Sequence, residues 1–181
     1  MVTMKNSNKI RKIAFAGVIG ALYAALTMSL GFISYGPIQF RIAEAMTILP
    51  FFFPFSILGL FVGCIIANLM SPYPLDIVVG PIASLIAGVC TIQISKLGRD
   101  KVWVKVWGCF PPVIVNAVLI GAMIAFYMVG FSDLRVFLTA MVVSGLQVGF
   151  GQLVILYAIG LPVMIYLPKS NVYGRLSEYV G

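Results

Sequence analysis

The sequence predicts an all-α membrane protein, a compact bundle of six transmembrane helices with both termini cytoplasmic. Three observations carry this reading. First, 61% of the 181 residues are hydrophobic and 9% charged, with a mean hydropathy of +1.09, against roughly 45–50% apolar and 25% charged in soluble domains. Second, the apolar residues fall into six runs, about 13–32, 40–53, 55–69, 75–94, 106–128 and 137–166, separated by charges, prolines and glycines. Third, ten basic residues (Lys5, Lys9, Arg11, Lys12, Lys96, Arg99, Lys101, Lys105, Lys169, Arg175) fall on one side of the alternating segments and only Arg41 and Arg135 on the other. That asymmetry assigns the first side to the cytoplasm. At roughly 20 residues per span the chain is filled by its helices, so residues 1–181 read as a single integral membrane domain.

The first segment, MKNSNKIRKIAFAGVIGALYAALTMSLGF, has the basic start of a signal peptide. Its apolar run from Ile13 to Phe32 exceeds the usual h-region of about 7–15 residues, so it reads as a retained helix. Gly17, Ala21 and Ala25 recur every four residues along it, and Ala16, Gly20 and Ala24 form a neighbouring ridge. Small residues at that spacing let another helix approach closely, either within the bundle or from a partner. The second and third segments are short, and Pro50 and Pro54 bracket their junction. Two tilted spans and one re-entrant pair both fit, and six crossings are expected because a bilayer thins locally around short helices. Gly59, Gly63 and Ala67 give the third segment a flat face for internal packing.

The fourth to sixth segments are longer. Asn116 and Gln147 sit about ten residues into the fifth and sixth, where a carboxamide must find a partner across the bundle or in a cavity. Both are candidates for the floor of an externally open cavity, with interhelical bonding as the alternative. Gln152 lies further along and reads as packing. Trp103 and Trp107, beside the cytoplasmic charges, read as interfacial anchors.

Several functions are excluded. The chain has no histidine, the commonest general base and metal ligand, and no GxxxxGK[ST] loop to cradle a nucleotide. Cys64, Cys90 and Cys109 lie singly in three segments without metal or disulfide spacing. Enzyme activity is not expected, nor is any cofactor or metal on this chain. The net charge of +7 sits in clusters flanking apolar segments, the pattern of topology determinants rather than of nucleic-acid binding.

Between Lys12 and Lys96 only Arg41, Glu44 and Asp76 are charged. A charge near the membrane centre costs about 2.5–3.5 kcal/mol, less toward the interface, so each needs a reason. On an α-helix Arg41 and Glu44 would share one face, with Tyr35, Gln39 and Phe40 just before them and Asn68 and Asp76 at the same membrane level. These residues read as a polar, aromatic-lined site open to the outside. Mutual pairing of Arg41 with Glu44 as an interfacial anchor is the alternative.

The stretch YGPIQFRIAEAMTILPFFFPFSILGLFVGCIIANLMSPYPLDIVVGPIASLIAG, Tyr35 to Gly88, is similar to the QueT family, substrate-binding S components of energy-coupling factor (ECF) transporters assigned to queuosine-precursor uptake. GPIQFRIAEA, GLFVGCIIANL and LDIVVG carry the resemblance. It implies a 7-deazaguanine ligand (queuine or its aminomethyl or cyano precursor), docking on an ECF coupling transmembrane subunit with two ATPase subunits, and toppling of the whole subunit during transport. It also implies that an Ala-x-x-x-Ala face at Ala21 and Ala25 is the docking contact, with Gly17–Ala21 and Gly20–Ala24 fitting the spacing equally. Under it, Glu44 would accept the paired N–H donors of a guanine-type edge, Gln39, Asn68 or Arg41 would serve its carbonyl, and Asp76 would face a ligand amine. An S component for another vitamin-like molecule and an ion-coupled secondary transporter are the competing readings.

Overall fold

The first helix begins well before its apolar run. In the computed structural model, which describes residues 2–36 and 38–180 and the side chains of 8–36 and 38–180, helix α1 spans Val2–Ser29. It buries a stripe of Phe15, Ile19, Tyr23 and Thr27 at four-residue spacing. Lys5, counted above among the cytoplasmic charges, lies outside the described side chains. A short α2 (Gly31–Ser34) leads to an extended stretch and a 3-10 helix, Ile42–Phe51. Then come α3 (Ser56–Asn68), α4 (Asp76–Ser95), α5 (Val102–Gly108), α6 (Phe110–Val129) and α7 (Leu134–Ile155). A π turn over Leu156–Gly160 joins α7 to α8 (Leu161–Tyr166), and α9 (Asn171–Val180) ends the described chain. No strand occurs among the described residues.

Four stretches are long and apolar enough to cross a membrane: Asn8–Ser29, Asp76–Ser95, Val102–Val129 and Leu134–Lys169. The two short ones differ in kind. The thirteen residues of α3 rise about 20 Å at ~1.5 Å each, and the ten of the 3-10 helix also about 20 Å at ~2.0 Å each. Both fall short of a hydrocarbon core of about 30 Å.

Three local features depart from a plain six-helix reading. The second segment, expected as an α-helix from residue 40, is extended to Arg41 and then 3-10, with Pro50 inside it unable to donate to an α ladder. The fifth run starts earlier, at Val102, and bends where Pro111 and Pro112 open α6. The sixth run reaches Lys169 through the π turn, because Pro162 has no N–H for the preceding turn. Helix α9 was not anticipated. It lays Tyr173, Leu176 and Val180 on the core, and Tyr173 packs on Phe52 and Phe53 with ring centroids 5.7 and 5.6 Å apart.

Glycines set the two main helix contacts. A Cβ at Gly59 would stand 2.1 Å from the Ala16 carbonyl oxygen, and one at Gly63 2.5 Å from that of Gly20. The backbones of α1 and α3 therefore touch. In the same way a Cβ at Gly121 of α6 would meet the Gly145 Cα of α7 at 2.6 Å. The ridge Ala16–Gly20–Ala24 is thus internal, while Gly17, Ala21 and Ala25 stay exposed. The largest fully buried side chains, Tyr23, Phe51, Ile48, Leu60, Leu156 and Met164, fill the middle of the bundle around the 3-10 helix.

Candidate functional site

The Tyr35–Arg41 stretch is shaped by its own backbone. The Gln39 N–H donates to the Gly36 carbonyl (3.1 Å), and the Gln39 carbonyl accepts from the Arg41 N–H (2.9 Å), closing a three-residue turn about Phe40. Gln39 is held at φ +52°, the one non-glycine residue at positive φ among those described. That conformation costs on the order of 1–3 kcal/mol and persists only where surroundings enforce it. Helix α7 is the enforcing surface. Gly151 leaves room for the turn, since a Cβ there would lie 2.3 Å from the Ile38 carbonyl oxygen and 3.1 Å from that of Gln39. Phe40 packs edge-on against Phe150, centroids 6.4 Å apart.

Arg41 does not face Glu44. Its backbone is extended (φ −87°, ψ 98°) and the helix starting after it is 3-10, so the shared α-helical face expected of the two residues does not form. The Arg41 guanidinium pairs instead with Asp76 Oδ2 at 2.8 Å, and donates to Asn68 Oδ1 at 3.1 Å and the Ser34 carbonyl at 3.2 Å. It lies 5.4 Å from the Tyr35 ring centroid. Asn68 Nδ2 donates to the Asp76 carbonyl (2.8 Å), and Ser71 Oγ donates to Asp76 Oδ2 (3.0 Å). Asp76 begins α4 and is fully buried, as is Asn68. Its Oδ1 has no hydrogen-bond partner and lies where a Cβ on Gly80 would come within 2.9 Å. These three side chains bind one another and tie the segment before the 3-10 helix to α3 and α4.

Glu44 belongs to a second buried cluster. Tyr23 of α1 donates its hydroxyl to Glu44 Oε1, and Thr47 Oγ1 donates to the Glu44 carbonyl at 2.7 Å. The Gln152 carboxamide of α7 neighbours Glu44. Both Glu44 Oε2 and Gln152 Oε1 are buried without a hydrogen-bond partner. A buried acceptor left unpaired costs about 1–3 kcal/mol, and these two oxygens are free to accept N–H donors.

A cavity of about 330 Å³ opens beside these clusters, lined by Tyr35, Gln39, Tyr73, Ile124, Met128 and Gln147. Tyr35 is fixed by donating its hydroxyl to the Ala67 carbonyl. Tyr73 lies against Tyr127, centroids 5.3 Å apart, and the Tyr127 hydroxyl accepts the Leu75 N–H at 3.1 Å. Gln39 lines the cavity and its backbone rests on Gly151, which precedes Gln152 in sequence; Glu44 and Gln152 are not among the lining residues.

The expected site residues therefore separate. Tyr35, Gln39 and Gln147 line one cavity. Arg41, Asn68 and Asp76 bond one another with Asp76 Oδ1 left over, Glu44 is in the second cluster, and Phe40 is on Phe150. Asn116, buried in α6, is not among the residues lining that cavity. Tyr23 and Gln152 were missed: Gln152 was read as packing, and Tyr23 was not singled out. The available signal for Tyr23 was a hydroxyl-bearing ring in an otherwise apolar stripe with Phe15 and Ile19.

Comparison with known proteins supplies the remaining finding. The family described as QueT transporter matches residues 13–169. A protein of Lactococcus lactis subsp. cremoris (strain MG1363) named Queuosine precursor transporter QueT is 40% identical over 103 residues, 55% of this chain and 60% of that relative's length. The match therefore spans less than two thirds of the relative. No solved structure matches the chain.

Proposed function

This chain belongs to the QueT transporter family, and from that premise we propose that it is a substrate-binding subunit for import of a queuosine precursor, queuine or a related 7-deazaguanine. The observation that supports this most is the pair of unpartnered buried acceptors, Glu44 Oε2 and Gln152 Oε1, on the 3-10 helix and α7, in the same part of the chain as a cavity lined by two tyrosines and two glutamines that includes Gln39 and Gln147 but neither acceptor. A guanine-type edge carries adjacent N–H donors that a carboxylate accepts in parallel. Tyr35 and Tyr73 offer ring faces to a flat bicycle, and Gln39 and Gln147 offer amides to its carbonyl. A cavity of this volume is in the range of small-ligand sites.

In this reading Arg41, Asn68 and Asp76 hold the site's frame rather than touch the ligand. The chain forms one membrane domain crossing the bacterial cell membrane six times with both termini cytoplasmic, and carries no cofactor of its own. It works with an ECF coupling subunit and two ATPase subunits. The exposed Gly17–Ala21–Ala25 face, beside an apolar groove of about 350 Å³ between α1 and α3, serves as the docking contact. The test is uptake of labelled queuine into proteoliposomes with and without the coupling and ATPase subunits. Uptake requiring those subunits and ATP is expected. Uptake by the chain alone, following a proton or sodium gradient, would contradict the partnership.

A further inference from the structure

At the end of the bundle away from the Tyr35 cavity lies a second cleft, of about 430 Å³, whose lining includes Lys12, Arg99, Phe52, Phe55, Tyr173 and Ser177. Lys12 sits near the start of α1 and Tyr35 beyond its end, so the two sites are separated by roughly 25 Å or more at ~1.5 Å per helical residue. Four separate parts of the chain converge here: the N-terminal part of α1, the junction between the 3-10 helix and α3, the segment after α4, and α9. The cleft combines two chemistries. Lys12 and Arg99 come from different elements, and no carboxylate is among the lining residues. Among the described residues the one ion pair is Arg41–Asp76, so neither cation has a carboxylate partner within them. The acids nearest in sequence, Asp100 and Glu178, do not line the cleft.

The floor, by contrast, is aromatic. Phe55 is 43% exposed and carries the Lys12 ammonium 5.5 Å from its ring centroid, while Phe52 is fixed against Tyr173 of α9. Trp103 and Trp107 are also exposed, on α5, which follows the Arg99 segment. Tryptophans with amphipathic rings favour the headgroup level of a bilayer.

We propose that this cleft binds an anionic phospholipid, its phosphate between Lys12 and Arg99 and the upper part of an acyl chain along Phe52 and Phe55. A free phosphate would use the cations but leave the apolar floor exposed to water. A zwitterionic lipid would cover the floor while bringing its own cation beside Lys12 and Arg99. Basic pockets between membrane helices suit anionic headgroups for these reasons. The hydroxyls of Tyr173 and Ser177 stand ready to donate to phosphate oxygens, and Arg11, 5.5 Å from the Tyr179 ring centroid, ties α9 to α1 at the cleft's edge. The site is independent of the transported ligand.

Native mass spectrometry of the purified full chain, titrated with phosphatidylglycerol or phosphatidylcholine in neutral detergent, tests the proposal. Retention of phosphatidylglycerol should exceed that of phosphatidylcholine by about thirtyfold, the size expected of two interfacial cations. Lys12→Gln/Arg99→Gln should remove that preference. The charge-matched control Lys9→Gln/Lys96→Gln, at exposed positions outside the cleft, should keep it. Excess glycerol 3-phosphate should not displace the lipid, and thermal unfolding in neutral detergent should show both variants folded. Equal retention of the two lipids, equal loss in the control, or displacement by glycerol 3-phosphate would each overturn the proposal.

Discussion

The two buried polar clusters grow from the same short segment yet differ in how completely they are bonded. In the Arg41 cluster the guanidinium meets the Asp76 carboxylate at 2.8 Å and the Asn68 carboxamide oxygen at 3.1 Å, and the Asn68 amide donates to the Asp76 backbone carbonyl at 2.8 Å, joining the start of the 3-10 helix to α3 and α4 with one oxygen, Asp76 Oδ1, left over. In the Glu44 cluster, three residues apart in sequence, one carboxylate oxygen is held by Tyr23 and the other is left open beside an open Gln152 oxygen. A buried charge survives in a membrane protein only with a partner. The Arg41 cluster contains its own countercharge, whereas Glu44 has a tyrosine and a carboxamide beside it and no cation bonded to it among the described residues. On the proposed function, that difference divides framework from recognition.

That contrast is broken most severely at Arg41. Replacing it with Met leaves Asp76 buried without its cation, a loss of about 3–5 kcal/mol. We expect Arg41→Met to fail as a monodisperse protein in detergent. Adding Asp76→Leu should recover much of the stability, because removing both charges of a buried pair costs far less than removing one. Unfolding monitored by circular dichroism gives the comparison. A single variant as stable as the parent would mean that the Arg41 network does not hold the frame.

Glu44→Gln probes the other cluster and should move different readouts. The amide keeps an acceptor for Tyr23 but presents no carboxylate. Stability should change by under ~1 kcal/mol while deazaguanine affinity falls at least tenfold, about 1.4 kcal/mol or more. Gln152→Leu should act in the same direction with a smaller effect, about threefold to tenfold, as for one neutral hydrogen bond. Unchanged affinity in either variant, measured by calorimetry, removes that residue from the site. The smallest effect on either cluster is expected from Ala21→Phe with Ala25→Phe, on the exposed face of α1. Ligand binding should match the parent, whereas co-purification with the coupling subunit should be lost. Retained co-purification would move docking off that face.

How much of this was legible beforehand depended on whether the signal was local. The run from Leu75 to Ile94 is continuous, and helix α4 occupies Asp76–Ser95. The hydrophobic pattern of α3 is equally local, and so are its bounds. The Arg41–Asp76 pair spans 35 residues and requires knowing that Arg41 is extended. Three-residue spacing suggested an α face with Glu44, and the extended backbone at Arg41, outside the helix, removed it. On α1 the ridges Ala16–Gly20–Ala24 and Gly17–Ala21–Ala25 are indistinguishable by composition. Only the glycines of α3 determine which is buried. Tyr23 and Gln152 were hidden for the same reason, since each acquires its meaning from Glu44 on another element.

The measurement closest to the central claim is titration calorimetry of the purified chain and of Glu44→Gln, side by side, against queuine, its aminomethyl and cyano precursors, guanine and several unrelated vitamins. The account predicts saturable binding of a 7-deazaguanine and not of the vitamins, weakened at least tenfold, about 1.4 kcal/mol, in the variant at unchanged unfolding temperature. A folded parent that binds no deazaguanine, or a variant that binds as tightly as the parent, would contradict it.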